Sequence, residues 1–183
     1  MSSRVVLHAG PAVGFEQPFE MLAACHERVR RSLDLLQRLH THVLQHGVDT
    51  QVHEAAADVL RYFDKAGPAH HEDEERHVLP RLRAAGMVEV ANRLHADHVE
   101  MTRLWAVLRE PLVAWTRGES ATLGKDSLLH YIELYNTHMA IEDVQAFAVA
   151  REGLAEESLS SMGNEMASRR RGLASDTTPP TST

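Results

Sequence analysis

Three glycines set the outline of this chain. Gly47, Gly86 and Gly118 each follow a long stretch with apolar residues at steps of three and four. Each suits the left-handed position just past a helix end. The spacing predicts four helices, over 17–46, 50–85, 88–117 and 120–152. Pro18 fits the first turn of the first helix, and Thr50 and Ser120 are candidate caps of the second and fourth. Loops this short make consecutive helices neighbours. The expected fold is therefore all-α, an up-down-up-down antiparallel four-helix bundle. A shorter amphipathic helix is expected over 155–169. From Gly172 the sequence GLASDTTPPTST has no periodicity and reads as a disordered tail. The chain thus divides into an N-terminal extension (1–16), the bundle (17–152) and a short helix with its tail (153–183).

Composition narrows the classes. With 183 residues, 43% of them hydrophobic, the chain can bury one sizeable core. It has no run of roughly eighteen apolar residues, so no membrane span is expected. A net charge of −7 argues against nucleic acid as a partner. The single cysteine, Cys25, excludes an internal disulfide and suits a reducing cytosol. The opening MSSRVVLHAGPAVGF has a broken apolar stretch unlike a signal peptide, and a cytoplasmic location is expected. Nothing in the sequence fixes an oligomeric state. The unusual count is histidine, at 13.

Histidines and acids crowd most densely in HHEDEERH, His70 to His77. The second helix carries an apolar stripe through Ala56, Leu60, Phe63 and Gly67. Continued at steps of three and four, it reaches His70, Glu74 and His77. Gly67-Pro68 and Pro80 interrupt this helix, and one kinked helix is expected because the register runs through them. His71, Asp73 and Glu75 then fall on the outer face or flank. The same test on the first helix gives Leu22, His26, Val29, Leu33, Leu36, His40 and Val43. On the third it gives Ala91, Leu94, His98, Met101 and Trp105. On the fourth it gives Leu128, Tyr131, Tyr135, His138 and Glu142, with Gln145 and Val149 beyond.

A lone inward histidine is usually a core residue with one hydrogen bond. A buried glutamate must be paired, protonated or bound to a metal. The turn positions decide between these. In an antiparallel hairpin, residues equidistant from the turn lie side by side. Midway between His26 and His70 stands Val48, between Glu74 and His98 stands Gly86, and between His98 and His138 stands Gly118. Three hairpins thus place His26, His70, Glu74, His98, His138 and Glu142 at one level. The arrangement is also a repeat, a histidine followed later by His-x-x-x-Glu, in each half of the chain. Positions i and i+4 share a helix face, so a histidine and a glutamate there can grip one metal. Two such halves suit a metal pair about 3.5–4 Å apart bridged by the two carboxylates. Imidazole and carboxylate without thiolate favour iron, with manganese or zinc possible.

These segments, CHERVRRSL, HHEDEERHVLP, ADHVEM and THMAIEDVQAF, resemble the hemerythrin-like (HHE cation-binding) domain over about residues 18–152. The resemblance implies a four-helix bundle with two non-haem iron ions and an oxo or hydroxo bridge. Its metal ligands map onto His26, His70, Glu74, His98, His138 and Glu142. Oxygen carriers of the family place a second histidine on the third helix, where this chain has Thr102. The chain looks more like bacterial di-iron variants linked to nitric oxide stress and iron–sulfur cluster repair. Their additional N-terminal cysteine-containing domain has no counterpart in the sequence. Cys25, His77, Tyr131 and Tyr135 are candidates to hydrogen-bond around the site.

Three functions follow as expectations. The first is binding and redox conversion of a small molecule, O2, NO or H2O2, in oxidative or nitrosative stress or iron handling. The second is a sensor or storage protein for oxygen or iron without turnover. The third is a purely structural bundle, which the two inward glutamates disfavour.

Overall fold

Helix α1, Pro18–His46, opens with proline at its first position, where the missing N–H has no helical partner in any case. Its inner stripe buries Leu22, His26, Val29, Leu33 and Leu36. The computed structural model describes residues 13–175. Within them follow α2 (Thr50–Arg61), α3 (Gly67–His77), α4 (Leu79–Ala84), α5 (Val88–Trp115), α6 (Lys125–Ile141), α7 (Phe147–Arg151) and α8 (Glu156–Ser175). The described residues contain no strand, and no described helix is long and apolar enough to cross a membrane. Four bodies pack in sequence: α1 against α2, α2 against α5, α5 against α6, and α6 back against α1. Gly47, Gly86 and Gly118 take φ of 79°, 81° and 75° at the turns between them.

Two departures from helical regularity matter. The expected second helix is four pieces, α2, a wide π-turn over Tyr62–Ala66, α3 and α4. In the π-turn the Gly67 N–H reaches back five residues to Tyr62 O. The wider ladder brings the chain to Pro68, which has no N–H to offer. A second π-turn covers Glu142–Ala146 and separates α6 from α7. It adds a residue to the turn and shifts the phase of everything after it. The inner stripe past Glu142 is therefore Ala146, Phe147 and Ala150, and not the expected Gln145 and Val149; Gln145 is exposed.

Two caps also differ from expectation. The Asp49 carboxylate, and not Thr50, accepts from Val52 N at the start of α2 (3.0 Å). Residues 119–124 stay out of helix, so α6 begins at Lys125, after Gly124, and not near Ser120. Trp115 Nε1 donates to Ala121 O in that loop (3.0 Å), and Leu123 is buried beneath it.

The short C-terminal helix is longer than expected. It runs through Gly172 to Ser175, while 176–183 lie outside the described residues. It is anchored from both sides of the amphipathic pattern. Met162 and Met166 enter the core, and Arg169 and Arg170 both pair with Asp73 of α3, the latter at 2.6 Å. Asp73 is fully buried, which overturns its expected place on the outer flank. The charge that α8 brings is the physical reason.

The core is layered. One apolar cluster gathers Val29, Leu36, Phe63, Met101, Trp105 and Tyr131. The other gathers Phe19, Leu22, Leu79, Leu94, Phe147 and Met166. His26 on α1, His70 and Glu74 on α3, His98 on α5, and His138 and Glu142 at the end of α6 fall between the two.

Candidate metal centre

The polar layer is compact. Ligand atoms of His26, His70, Glu74 and Glu142 lie within 4.8 Å of one another, and so do those of Glu74, His98, His138 and Glu142. All six candidate ligands from the sequence converge, each nearly or wholly buried. The two groups share both glutamates. Glu74 turns Oε1 to His70 Nε2 (2.9 Å) and Oε2 to His98 Nε2 (3.3 Å). Glu142 turns Oε2 to His26 Nε2 (3.2 Å) and Oε1 to His138 Nε2 (3.2 Å). Each carboxylate thus spans the two histidine pairs, one oxygen to a pair.

The donor set fits cations between these atoms. None of the four carboxylate oxygens has an aligned hydrogen-bond donor. His98 Nε2 and His138 Nε2 point at each other across 3.1 Å. Two fully buried carboxylates with no aligned donor are costly without a positive charge among them.

The outer edges of the rings are held by a regular device. His26 Nδ1 meets Asp143 Oδ1 at 2.8 Å, and His98 Nδ1 meets Glu75 Oε1 at 2.8 Å. His138 Nδ1 faces Asp97 Oδ2 at 3.5 Å. Carboxylates in this position fix ring orientation and make Nε2 a better donor. Asp143 is steadied by Arg30 and Glu75 by His95. Glu75 therefore belongs to the site, and the expectation that it lies outside is corrected. Periodicity alone assigns such a residue to the surface. The clue was the acid that follows the glutamate in each half, Glu74-Glu75 and Glu142-Asp143.

Metal-free electrostatics follow from burial. Burial opposes the charged form of His138, but Glu142, with Asp97 and Glu74, outweighs it and raises the pKa to about 10. Burial likewise opposes charge on His70, and the Glu74 carboxylate overcomes it, so its pKa lies well above the usual value. Glu74 is held well below the carboxylate range, because His70 and His98 outweigh the burial penalty.

A cavity of about 200 Å3 opens beside the His98 side of the site, walled by His71, Met101, Thr102, Trp105 and Tyr135. His71 stacks on His98, ring centres 4.3 Å apart, and its Nε2 is buried without a partner. Burial and the neighbouring His98 hold its pKa well below normal, so it is neutral. It stands at the edge of the site and not on an outer face. Tyr135 stacks on His71 at 5.8 Å, and Tyr131 packs on Tyr135 behind it. His77 turns away, its Nε2 3.0 Å from Glu165 of α8. Cys25 is buried against His70 and Arg170.

Comparison with known proteins agrees with this geometry. A protein of Haemophilus influenzae described as uncharacterized is 30% identical over 158 residues, 85% of this chain and 91% of that protein. The profile of the hemerythrin HHE cation binding domain matches residues 17–150. Its span takes in all six converging side chains and every carboxylate that holds their outer edges. The chain belongs to the hemerythrin HHE cation-binding domain family.

Proposed function

We propose that this protein holds two iron ions between His26, His70, His98 and His138, with Glu74 and Glu142 shared, and redox-converts a small molecule there: O2, NO or H2O2. One observation carries the reading. Each glutamate presents one oxygen to each histidine pair, the arrangement a carboxylate-bridged pair of ions requires. Four nitrogens and two carboxylates without thiolate suit iron, with manganese or zinc as competitors. Iron held by these six side chains would supply electrons and exchangeable positions for a small molecule.

The chain's own residues then select what arrives. The cavity beside His98, about 200 Å3, has room for a diatomic or a peroxide. Thr102 stands at its mouth, where its small side chain leaves a path that a histidine would block. Inside, Phe63, Met101 and Trp105 supply the apolar wall, and His71, His98, Glu75 and the two tyrosines supply the polar one. The neutral His71 imidazole offers a hydrogen bond to a small polar guest without adding charge. The helices that carry these groups are read as an up-down-up-down antiparallel bundle over 17–152. Their short turns and sequential packing support that topology.

The test is the metal content and spectrum of the purified protein. Close to two iron ions per chain are expected, with a near-ultraviolet band that changes within seconds when the reduced protein meets oxygen, nitric oxide or peroxide. One tightly bound zinc, with no iron and no spectral response, would defeat the proposal. An oxygen adduct released intact over many cycles would leave iron in place but make the protein a carrier.

A further inference from the structure

The oxidisable aromatic side chains are sorted to one side of the polar layer. The chain has two tryptophans and three tyrosines. Trp105, Trp115, Tyr131 and Tyr135 are buried in one apolar cluster, and Tyr62 packs against it. The other cluster contains phenylalanines and neither tyrosine nor tryptophan. Packing alone does not require this sorting, since phenylalanine fills the same kind of space on the far side. There His26 meets the Phe147 ring at 5.5 Å, and Phe147 meets Phe19.

On the near side the rings form an unbroken row. His98 stacks on His71 with ring centres 4.3 Å apart, and His71 stacks on Tyr135 at 5.8 Å. Tyr135 meets Tyr131 edge-on at 4.9 Å, and Tyr131 stacks on Trp105 at 6.1 Å. Phe63 touches the last three and fills the space between them. The row ends at a proton acceptor. Trp105 Nε1 donates to Asp64 Oδ1 at 2.9 Å, and Arg109 Nε holds the same carboxylate, which is partly exposed. The rings thus lead from an inward histidine to the protein surface. Trp115 stands off the row, its Nε1 donating to Ala121 O.

We propose that this row carries electrons, with Trp105 the donor at its outer end and Tyr131, Tyr135 and His71 the relay to the metal centre. This rests on the proposed iron site. Hydrogen peroxide takes up two electrons and two protons to become two waters. When the bound ions are already ferric, the chain must provide those electrons. Trp105 loses one at a time, and its Nε1 proton passes to Asp64 and on to solvent, which returns the protons that peroxide needs. Each ring in between gives one electron and regains one, so no charge stays on it. A small one-electron donor in solution, an enediol or a phenol, refills Trp105 after each loss, and two such turns reduce one peroxide. Without a donor Trp105 itself is consumed. It gives two electrons and two protons and takes an oxygen from water, so that tryptophan and H2O2 yield hydroxytryptophan and H2O.

The experiment exposes the full chain, loaded with two ferric ions, to excess hydrogen peroxide with no donor present. Trypsin leaves Trp105 in Leu104–Arg109 and Trp115 in Glu110–Arg117, so mass spectrometry reads the two separately. The wild type should gain one oxygen at Trp105 and none at Trp115. Tyr131→Phe and Tyr135→Phe interrupt the row and should each lose most of that oxygen, with iron content unchanged. In samples frozen early, electron paramagnetic resonance should show an indole radical in the wild type and a tyrosine radical in Trp105→Phe. Asp64→Asn removes the proton acceptor and should change the indole signal from the deprotonated to the protonated form. Ascorbate added beforehand should quench the signal and leave Trp105 unmodified. Zinc fills the site without accepting electrons, so zinc-loaded protein should show neither oxygen nor radical. Equal oxidation of Trp105 in the zinc and iron forms, or in the wild type and both tyrosine variants, overturns the inference while the metal site stands. So does an untouched Trp105 in iron-loaded protein whose spectrum responds to peroxide. Fewer than two bound ions defeats the site reading, and the inference falls with it.

Discussion

Glu75 and His98 lie on different helices, and the carboxylate of one holds the ring of the other at 2.8 Å. A residue that helical phase assigns to the surface thus fixes the direction in which a buried imidazole offers its nitrogen. Glu75→Ala should weaken the ion on the His98 side by about 10–100-fold, with the second ion little affected. Glu72→Ala, one turn earlier on α3 and in an exposed pair with Arg76, should not change metal affinity. Competition titration against a chelator of known affinity distinguishes them.

Metal binding should release protons. His138, with its pKa near 10, and His70, also raised, are both protonated in the metal-free protein at neutral pH and must lose that proton to bind a cation. Affinity should therefore rise with pH between 6 and 9, and the heat of binding should depend on buffer ionisation enthalpy. Buffer-independent heats would contradict it.

The same pairs set the stability of the metal-free form. A histidine raised from 6.5 to about 10 contributes stability that is complete below pH 6.5 and lost as pH climbs toward 10. Glu74, depressed below 4.5, contributes above that pH and loses its effect as pH falls further. The chelated protein should melt highest near pH 5–6.5 and lower at pH 9. The loaded protein should not show that decline, so the gap in Tm widens with pH. With metal about a thousandfold above Kd the gap corresponds to about 4 kcal/mol.

Asp73 offers a test of the α8 contact. Removing both arginines, Arg169→Ala with Arg170→Ala, leaves a fully buried carboxylate uncompensated and should cost about 3–5 kcal/mol. Asp73→Asn should cost less, since both guanidinium groups retain some access to water. Urea melts of the metal-free variants measure both.

Closing the cavity mouth tests the route. Thr102→Trp should slow the association of azide with the iron-loaded protein at least tenfold while changing its final affinity far less. Equal rates in wild type and variant would place the route elsewhere.

Much of this was legible in the sequence because burial of an imidazole or a carboxylate leaves a mark in helical phase. His26, His98 and His138 interrupt apolar stripes, and the turns at Val48, Gly86 and Gly118 place them level with His70 and Glu74. Phase arguments fail where the helix changes its own period: Glu142–Ala146 adds a residue, and Phe147 replaces Gln145 inside. They fail again where a charge is buried by a partner far away in sequence. Asp73 looks like a surface acid until Arg169 and Arg170 arrive from α8. Glu75 and Asp97 look solvated until the histidines of neighbouring helices turn toward them.

The clasp on Asp73 also has an order in time. A ribosome delivers His26 first and Glu142 well before Arg169 and Arg170. All six inward side chains are thus available to one another while the last helix is still being made. Until those two arginines emerge, the α1 and α3 face beside Cys25 and Asp73 stays uncovered. The nascent chain can complete its polar layer before that face is shut, and a chain truncated ahead of α8 would remain permanently at that open stage.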